Sequence, residues 1–289
     1  MERRRFFARA AALTGGALLA GPSRAAETAG LIDTNVHLGP WPTRRASVAP
    51  PAQLAARLRR HGVTSAWVAS FDGVLHTDLA AVNARLAESC AAEGGGAFFR
   101  PFGTVNPLFP DWEEDLRRCH EVHRMPGVRL YPNYHGYTLE QPPFSRLLEA
   151  ATRRGLLVQI SLSLEDDRSQ NPALAAAPVN VAPLPDLLTR LPATRVMLLN
   201  ATSRVLAPGN PLLTRLGRAG VLFEIATVEG VEGIARILGK LPELRLAFGS
   251  HAPYFYFESA LLKLQESALP PAQLAAITHG HASAALVRS

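Results

Sequence analysis

The chain has 289 residues, 47% of them hydrophobic, and a formal net charge of +6 at pH 7. Most of that charge lies in residues 1–25, where five arginines against one glutamate supply +4 of the +6. The rest of the chain is therefore near +2 and has no basic stripe with interleaved aromatic side chains, which excludes the usual pattern of a nucleic-acid-binding protein. Its length is typical of one α/β barrel.

The N-terminal segment has the pattern of a twin-arginine signal peptide. The run Arg3-Arg4-Arg5-Phe6-Phe7 leads into an apolar stretch from Ala10 to Ala20 and then into small residues around Ala25, although Glu2 replaces the usual Ser or Thr. A buried N-terminal helix or a membrane anchor is the alternative, but the apolar stretch is too short to span a bilayer. We predict a signal peptide over residues 1–25 and a mature domain over residues 26–289 without a membrane span. The twin-arginine export machinery would carry it to the periplasm or beyond.

Short apolar runs and longer amphipathic stretches alternate eight times from Gly30 onward. The predicted strands are residues 31–37, 65–71, 97–105, 128–131, 156–163, 195–200, 221–227 and 244–251. Helical patterns lie between them, and residues 271–287 predict an extra C-terminal helix outside the barrel. This alternation predicts the α/β class and a TIM-type (βα)8 barrel. A doubly wound open sheet is the competing fold, but no glycine-rich phosphate loop follows the first strand.

Polar side chains share one face of several predicted strands, because side chains alternate with period two. The set is Asp33, Asn35, His37, Gln159, Ser161, Ser163, Glu224, Arg245 and His251. The apolar faces must cover the helices, so these polar side chains are expected to line the barrel interior. Asp33 and Arg245 lie near the amino ends of their strands, and we expect them to form buried polar networks in which every polar group has a hydrogen-bond partner. His37 and His251 end strands that become neighbours when the barrel closes, which predicts a site at its mouth.

Both cysteines, Cys90 and Cys119, fall on predicted helices. One bridge between them is possible in an oxidising compartment. Two unpaired, packed thiols are the alternative, which we favour.

Three motifs carry a family resemblance: Ile32-Asp33-Thr34-Asn35-Val36-His37, Gly127-Val128-Arg129-Leu130-Tyr131-Pro132 and Leu246-Ala247-Phe248-Gly249-Ser250-His251-Ala252-Pro253-Tyr254. With them the chain resembles the amidohydrolase-related family that includes aminocarboxymuconate-semialdehyde decarboxylase. The resemblance implies a divalent metal, usually zinc, held by a His-x-His pair on strand one, a His on strand five, a His on strand six and an Asp on strand eight.

This sequence departs from that pattern at most of the ligand positions. Asn35 stands at the first His of the pair, Ser161 and Asn200 stand at the histidines of strands five and six, and His251 replaces the Asp. Only His37 and His251 remain as candidate metal ligands, and Asn and Ser bind zinc poorly. A third ligand would have to come from a carboxylate, and the candidates are Glu224, Glu165 and Asp72. A divalent metal such as zinc is therefore possible but not assured.

The resemblance also suggests roles for other polar residues. His251, Asn200 and His135 are the candidate catalytic residues. Asn35, Arg129, Tyr134, Ser161 and Glu224 are the candidate substrate-binding residues. Arg129 can face a substrate carboxylate or form a buried ion pair with Glu224, and the sequence leaves both open. His279 and His281 mimic a metal pair, but they lie in the C-terminal segment and are predicted to be structural.

The function expected from the resemblance is a hydrolase, or a decarboxylase or lyase, acting on a small anionic or cyclic substrate. The alternative is a non-catalytic periplasmic barrel that keeps a ligand-binding pocket. A third ligand converging on the histidines would favour the enzyme, whereas a mouth closed by Tyr254 or Phe255 would favour the alternative.

Overall fold

Eight parallel strands form one sheet in the order β1 to β8, which curves into a barrel. The computed structural model describes residues 30–43, 50–94, 96–166, 168 and 170–287. The predicted signal peptide lies outside them. Within the described ranges no helix is long and apolar enough to cross a membrane. The strands are β1 Leu31–Leu38, β2 Val63–Ser70, β3 Phe99–Gly103, β4 Gly127–Leu130, β5 Leu157–Ser161, β6 Arg195–Leu199, β7 Leu222–Glu224 and β8 Arg245–Ala247.

Helices follow the strands, as the predicted TIM-type barrel requires. They are α1 Pro51–Arg60, α2 Asp72–Leu75, α3 Leu79–Ala92, α4 Trp112–Arg117, α5 Pro132–His135, α6 Pro142–Arg153, α7 Leu184–Arg190, α8 Pro211–Arg218, α9 Gly233–Lys240, α10 Phe257–Glu266, α11 Pro271–Ala275 and α12 His281–Leu286. A π-helical turn, Arg118–Val122, continues α4, and another, Ala276–Gly280, joins α11 to α12. The barrel and its C-terminal helix are therefore confirmed.

The barrel interior has an apolar layer at the amino ends of the strands. Trp67 and Phe102 stack there with ring centroids 5.2 Å apart, in a cluster that also holds Met197. Ala282 and Ala285 of α12 belong to this cluster, so the C-terminal helix contributes to the interior core and does not merely cover the outside. The polar residues lie above this layer, toward the carboxyl ends.

The C-terminal histidines have structural contacts, as predicted. The His281 ring lies 2.7 Å from the Leu246 carbonyl, and the His279 ring lies 2.7 Å from the Ala275 carbonyl. The prediction of two unpaired, packed thiols is also confirmed, because Cys90 and Cys119 are free and buried. Burial raises the pKa of each thiol to about 12, which leaves both in the unreactive protonated form.

The seam between β8 and β1 is closed differently from the other strand pairs. Val36 and Ala252 form an isolated bridge, and the Thr34 N–H donates to the Phe248 carbonyl at 3.0 Å. The Asp33 carboxylate adds a side-chain link: it accepts from the Ser250 backbone N–H at 3.0 Å and from the Ser250 hydroxyl at 2.5 Å. Asp33 is thus a satisfied structural residue, as predicted.

We expect Ser250→Ala to lower the free energy of unfolding by about 2 kcal/mol, because it leaves one buried Asp33 oxygen without its hydroxyl donor. Urea unfolding followed by circular dichroism measures this. Ser267→Ala is the control: that hydroxyl is also buried but donates within α10, to the Lys263 carbonyl at 2.8 Å. Equal losses in the two variants would contradict a special role for the seam.

Candidate functional site

A fully buried arginine lies at the centre of the polar layer. Arg129 projects from β4 and has no solvent exposure. Its Nη1 donates to Asn35 Oδ1 at 3.3 Å, to the Val36 carbonyl at 3.0 Å and to His37 Nε2 at 3.2 Å. Nη2 donates to the carbonyls of Thr34 and Trp67, both at 3.2 Å, and Nε donates to Gln159 Oε1 at 2.8 Å.

These contacts correct one of the two roles proposed for Arg129 from the sequence, the ion pair with Glu224. Its hydrogen bonds go to neutral acceptors and none goes to a Glu224 oxygen, so the direct ion pair with Glu224 is not formed, while contact with a substrate carboxylate stays a prediction. Burial lowers the pKa of Arg129, while Tyr131, Asp33 and Glu224 act in the opposite direction. A guanidinium keeps its proton in proteins, so the barrel centre holds a permanent positive charge.

His37 is neutral and its tautomer is fixed by its neighbours. Burial, followed by the charge of Arg129, lowers the pKa of His37 well below its ordinary value. Because a guanidinium only donates, Nε2 must be the acceptor, and it also receives the Tyr131 hydroxyl at 3.3 Å. The proton therefore sits on Nδ1, which is buried and has no hydrogen-bond partner in the described chain.

Asn200 directly follows β6 and His251 lies four residues after β8, and both have a left-handed backbone conformation, at φ 51° and φ 58°. Such non-glycine residues are uncommon, with His and Asn among the enriched types, and they cluster at functional sites. His251 Nε2 donates to the Leu164 carbonyl at 2.9 Å, so its Nδ1 is the acceptor and faces Asn200 Nδ2 at 3.4 Å. Asn200 Nδ2 donates more strongly to the Ser163 carbonyl, at 2.7 Å.

Glu224 is buried beneath this group. One oxygen accepts from the Asn200 N–H at 2.6 Å and lies 3.5 Å from Asn35 Nδ2, and the other accepts from the Ala226 N–H. Burial raises the pKa of Glu224 to about 7 despite the two backbone donors. Burial likewise raises the pKa of Asp33 to about 6.

The structure thus brings together most of the residues selected from the sequence. Asn35, His37, Arg129, Asn200, Glu224 and His251 form one connected network. Ser161 is buried beside it, with its hydroxyl donating to the Ser163 carbonyl at 3.1 Å. His135 and Tyr134 do not join it: His135 contacts the Gly73 carbonyl at 2.9 Å, and Tyr134 lies edge-on to Trp41.

An aromatic cap closes the mouth above His37. It consists of Trp41, Phe71, Val74, Tyr131, Leu164 and Tyr254. The Phe71 ring stacks on His37 with centroids 4.3 Å apart, and Tyr254 lies 5.4 Å from the His251 ring. Trp41 Nε1 donates to Glu165 at 2.6 Å, which ties the cap to the loop after β5. Both histidines have no solvent exposure beneath this cap.

A cavity of about 920 Å³ opens beside the cap, over the carboxyl ends of β5 to β8. Its lining includes Ser163, Glu165, Asn200, Thr227, Phe255 and Lys263. Arg168 also lines it, but pairs with Asp166 at 2.5 Å and Glu229 at 3.4 Å. Lys263 of α10 is the other lining cation; it is half-buried and donates to the Ala226 carbonyl. Burial lowers the pKa of Lys263, opposed by Glu224, Glu229 and Glu266.

Sequence reasoning missed Lys263. It lies on a helix after the last strand, where a lysine looks like any surface residue of an amphipathic pattern. Only the packing of α10 beside β7 reveals it.

The donors at the barrel centre do not fit a divalent metal. No three His, Cys, Asp or Glu side chains converge as a metal site in the described ranges, so none of Glu224, Glu165 and Asp72 supplies the third ligand. The acceptor atom of His37 is already engaged by Arg129, and that of His251 faces the Asn200 amide. A metal ion 4 Å from the guanidinium would also be repelled, by roughly 4 kcal/mol per unit charge at the effective dielectric constant of proteins.

Comparison with solved structures finds the same fold in several decarboxylases. A 2,6-dihydroxybenzoate decarboxylase from Rhizobium matches with a TM-score of 0.67 at 12% identity, covering 89% of this chain and 98% of that one. A dihydroxybenzoic acid decarboxylase from Polaromonas sp. JS666, solved with bound manganese, gives 0.67 at 13%, covering 89% and 96%. A 5-carboxyvanillate decarboxylase from Sphingomonas paucimobilis gives 0.67 at 15%, covering 90% and 99%.

At these identities the structural likeness establishes the fold alone. No curated protein sequence matches the chain. A family model described as Amidohydrolase matches residues 32–282, which include all of the barrel strands except Leu31, the first residue of β1. The resemblance seen in the three sequence motifs is therefore confirmed, and the chain belongs to the amidohydrolase family.

Proposed function

We propose that this protein is an exported hydrolase or decarboxylase that binds a small cyclic or anionic substrate in the cavity over β5 to β8. The observation that carries the proposal is the position of this cavity, since barrel enzymes place their sites at the carboxyl ends of the strands. The related decarboxylases, which act on dihydroxybenzoate and carboxyvanillate, support this substrate class.

Three kinds of group reach the cavity and can orient such a substrate. Lys263 supplies an ammonium that can pair with a substrate carboxylate, since one of its donors is used on the Ala226 carbonyl and an ammonium has three. Asn200 and Thr227 supply amide and hydroxyl groups, and Phe255 offers an aromatic wall.

The histidines act on this cavity indirectly. Neither histidine lines the cavity, but His251 accepts from Asn200, which does. We therefore assign His251 to the positioning of Asn200, and His37 to the interior network around Arg129.

We expect Lys263→Met to weaken binding of 2,6-dihydroxybenzoate or 5-carboxyvanillate about tenfold or more, since a charge-assisted hydrogen bond contributes about 1.5–3 kcal/mol. A thermal-shift titration measures this, and substrate loss in the same samples reports turnover. Lys240→Met, on the exposed end of α9, is the control. Resorcinol lacks the carboxylate and should bind equally to wild type and variant. Unchanged carboxylate binding in Lys263→Met would contradict the assignment.

A non-catalytic ligand-binding barrel is the second candidate. The aromatic cap over His37 and His251 favours it, because Tyr254 closes the mouth as that alternative requires. The same titration separates the two: binding in the cavity without substrate loss supports the binding protein, and substrate loss that depends on Lys263 supports the enzyme.

Export is proposed from the sequence of residues 1–25. We expect replacement of Arg3 and Arg4 by lysine to retain the protein in the cytoplasm, because the twin-arginine machinery reads that pair. Cell fractionation and immunoblotting of an epitope-tagged full-length chain measure this. Arg9→Lys is the control, and unaltered fractionation of the double variant would contradict the route.

A further inference from the structure

We propose that the guanidinium of Arg129 takes the place of a metal ion in this barrel, so that the protein works with a built-in cation and excludes divalent metals. The inference holds whichever substrate the cavity takes. It rests on one juxtaposition: Nη1 lies 3.3 Å from Asn35 Oδ1 and 3.2 Å from His37 Nε2, bridging the two first-strand residues that stand at the family's His-x-His positions.

The guanidinium organises the polar layer as a central ion would. It donates six hydrogen bonds, to three backbone carbonyls and to the side chains of Asn35, His37 and Gln159. A metal collects acceptor atoms around one positive centre, and Arg129 does so here with acceptors from β1, β2 and β5. Asn at position 35 suits this task, because its amide oxygen can accept from the guanidinium while its amide nitrogen remains a donor.

The charge also sets the direction of a hydrogen-bond chain that ends at the cavity. Arg129 donates to Asn35, so the Asn35 amide nitrogen points at Asn200 Oδ1, 2.8 Å away. That contact turns the Asn200 nitrogen toward the Ser163 carbonyl, at 2.7 Å. Asn200 and Ser163 both line the cavity. Arg129 is therefore a positioning residue for the cavity, reached through two amides.

The same contacts leave no opening for an ion. A metal bridging positions 35 and 37 would need the Asn35 oxygen and the His37 nitrogen that Arg129 already holds. Arg129 also donates to three backbone carbonyls, which hold the guanidinium in this position.

The test begins with the full-length protein, purified without chelators from cells grown with added Zn²⁺ and Mn²⁺. Elemental analysis should find no stoichiometric metal, and added Zn²⁺ or Mn²⁺ should leave the melting temperature unchanged. One equivalent of tightly bound metal, lost together in His37→Gln and His251→Gln, would overturn the proposal.

Two variants and a control then test whether Arg129 excludes the ion. Asn35→His restores the first-strand pair while keeping the cation, and it should still bind no Zn²⁺. Adding Arg129→Met to that variant should produce a Zn²⁺-dependent rise in melting temperature, whereas adding Arg245→Met, at the amino end of β8, should not. Stoichiometric Zn²⁺ in Asn35→His alone would overturn the proposal. A folded Asn35→His/Arg129→Met chain that binds no more Zn²⁺ than Asn35→His would also overturn it. If the double variant does not fold, the metal contents of wild type and of Asn35→His test the proposal.

Discussion

Arg129→Met should lower the free energy of unfolding by about 4 kcal/mol. Methionine fills a similar volume, but it removes the Arg129 donor from the carbonyls of Val36 and Trp67 and from the oxygens of Asn35 and Gln159, while the Thr34 carbonyl keeps only its bond from Gln159 Nε2. Each buried acceptor that loses its partner costs about 1–3 kcal/mol, and relaxation recovers part of that total. Removal of a buried cation also leaves the charges of Asp33 and Glu224 less balanced. Urea unfolding followed by tryptophan fluorescence measures the change.

Arg129→Lys separates charge from shape in the same experiment. Lysine keeps the positive charge and three donors, so Arg129→Lys should lower the free energy of unfolding by less than Arg129→Met does. Arg245→Met is the matched control, since Arg245 is partly exposed at the start of β8, and it should change stability by less than about 1 kcal/mol. If Arg129→Met were no more destabilising than Arg245→Met, the central role of Arg129 would be wrong.

The barrel could be predicted because its signals are local. Alternation of apolar runs and amphipathic helices identified all eight strands. Except in the first strand, their carboxyl ends were predicted too long: the eighth was expected to reach His251 but pairs only to Ala247. Beyond the end of this ladder the backbone turns to a left-handed conformation at His251, so the residue lies outside the strand that the apolar pattern predicts.

The site was predictable in its members but not in its connections. Period-two alternation placed Asn35, His37 and Glu224 inside the barrel, and they lie there. The partner of each residue depends on how far a side chain crosses the barrel, which sequence spacing does not encode. Arg129 therefore looked like a substrate or Glu224 contact, yet it reaches β1 and holds His37.

Close packing around Glu224 is a further feature that becomes intelligible only in three dimensions. A Cβ at Gly249 would lie 2.8 Å from Glu224 Oε2, so the glycine of the eighth-strand motif makes room for the carboxylate. That close approach excludes water from Glu224. Because Glu224 is buried, the free energy of unfolding depends on whether this carboxyl group is ionised, and therefore on pH.

Glu224→Gln should become more stable relative to wild type as the pH rises from 5 to 8, by on the order of 3 kcal/mol. The pKa of Glu224 is raised from 4.5 to about 7, so between those values the native chain holds a proton that the unfolded chain has lost. The penalty for ionising Glu224 is absent below pH 4.5 and fully present above pH 7. Glutamine does not ionise, so the difference between the two stabilities isolates this group. Urea unfolding of both proteins across that pH range measures it.

The pH dependence of Glu224 must be taken from the difference between the two stabilities, because His37 changes the stability of both proteins with pH in the opposite direction. Its pKa is lowered, so the unfolded chain gains a proton below pH 6.5 that the native chain does not, and wild type loses stability as the pH falls. Asp33, with its pKa raised to about 6, opposes His37 in turn. Both contributions are common to wild type and Glu224→Gln and cancel in the difference. A difference that stays constant from pH 5 to 8 would show that Glu224 is ionised throughout, held by its backbone donors and by the charge of Lys263.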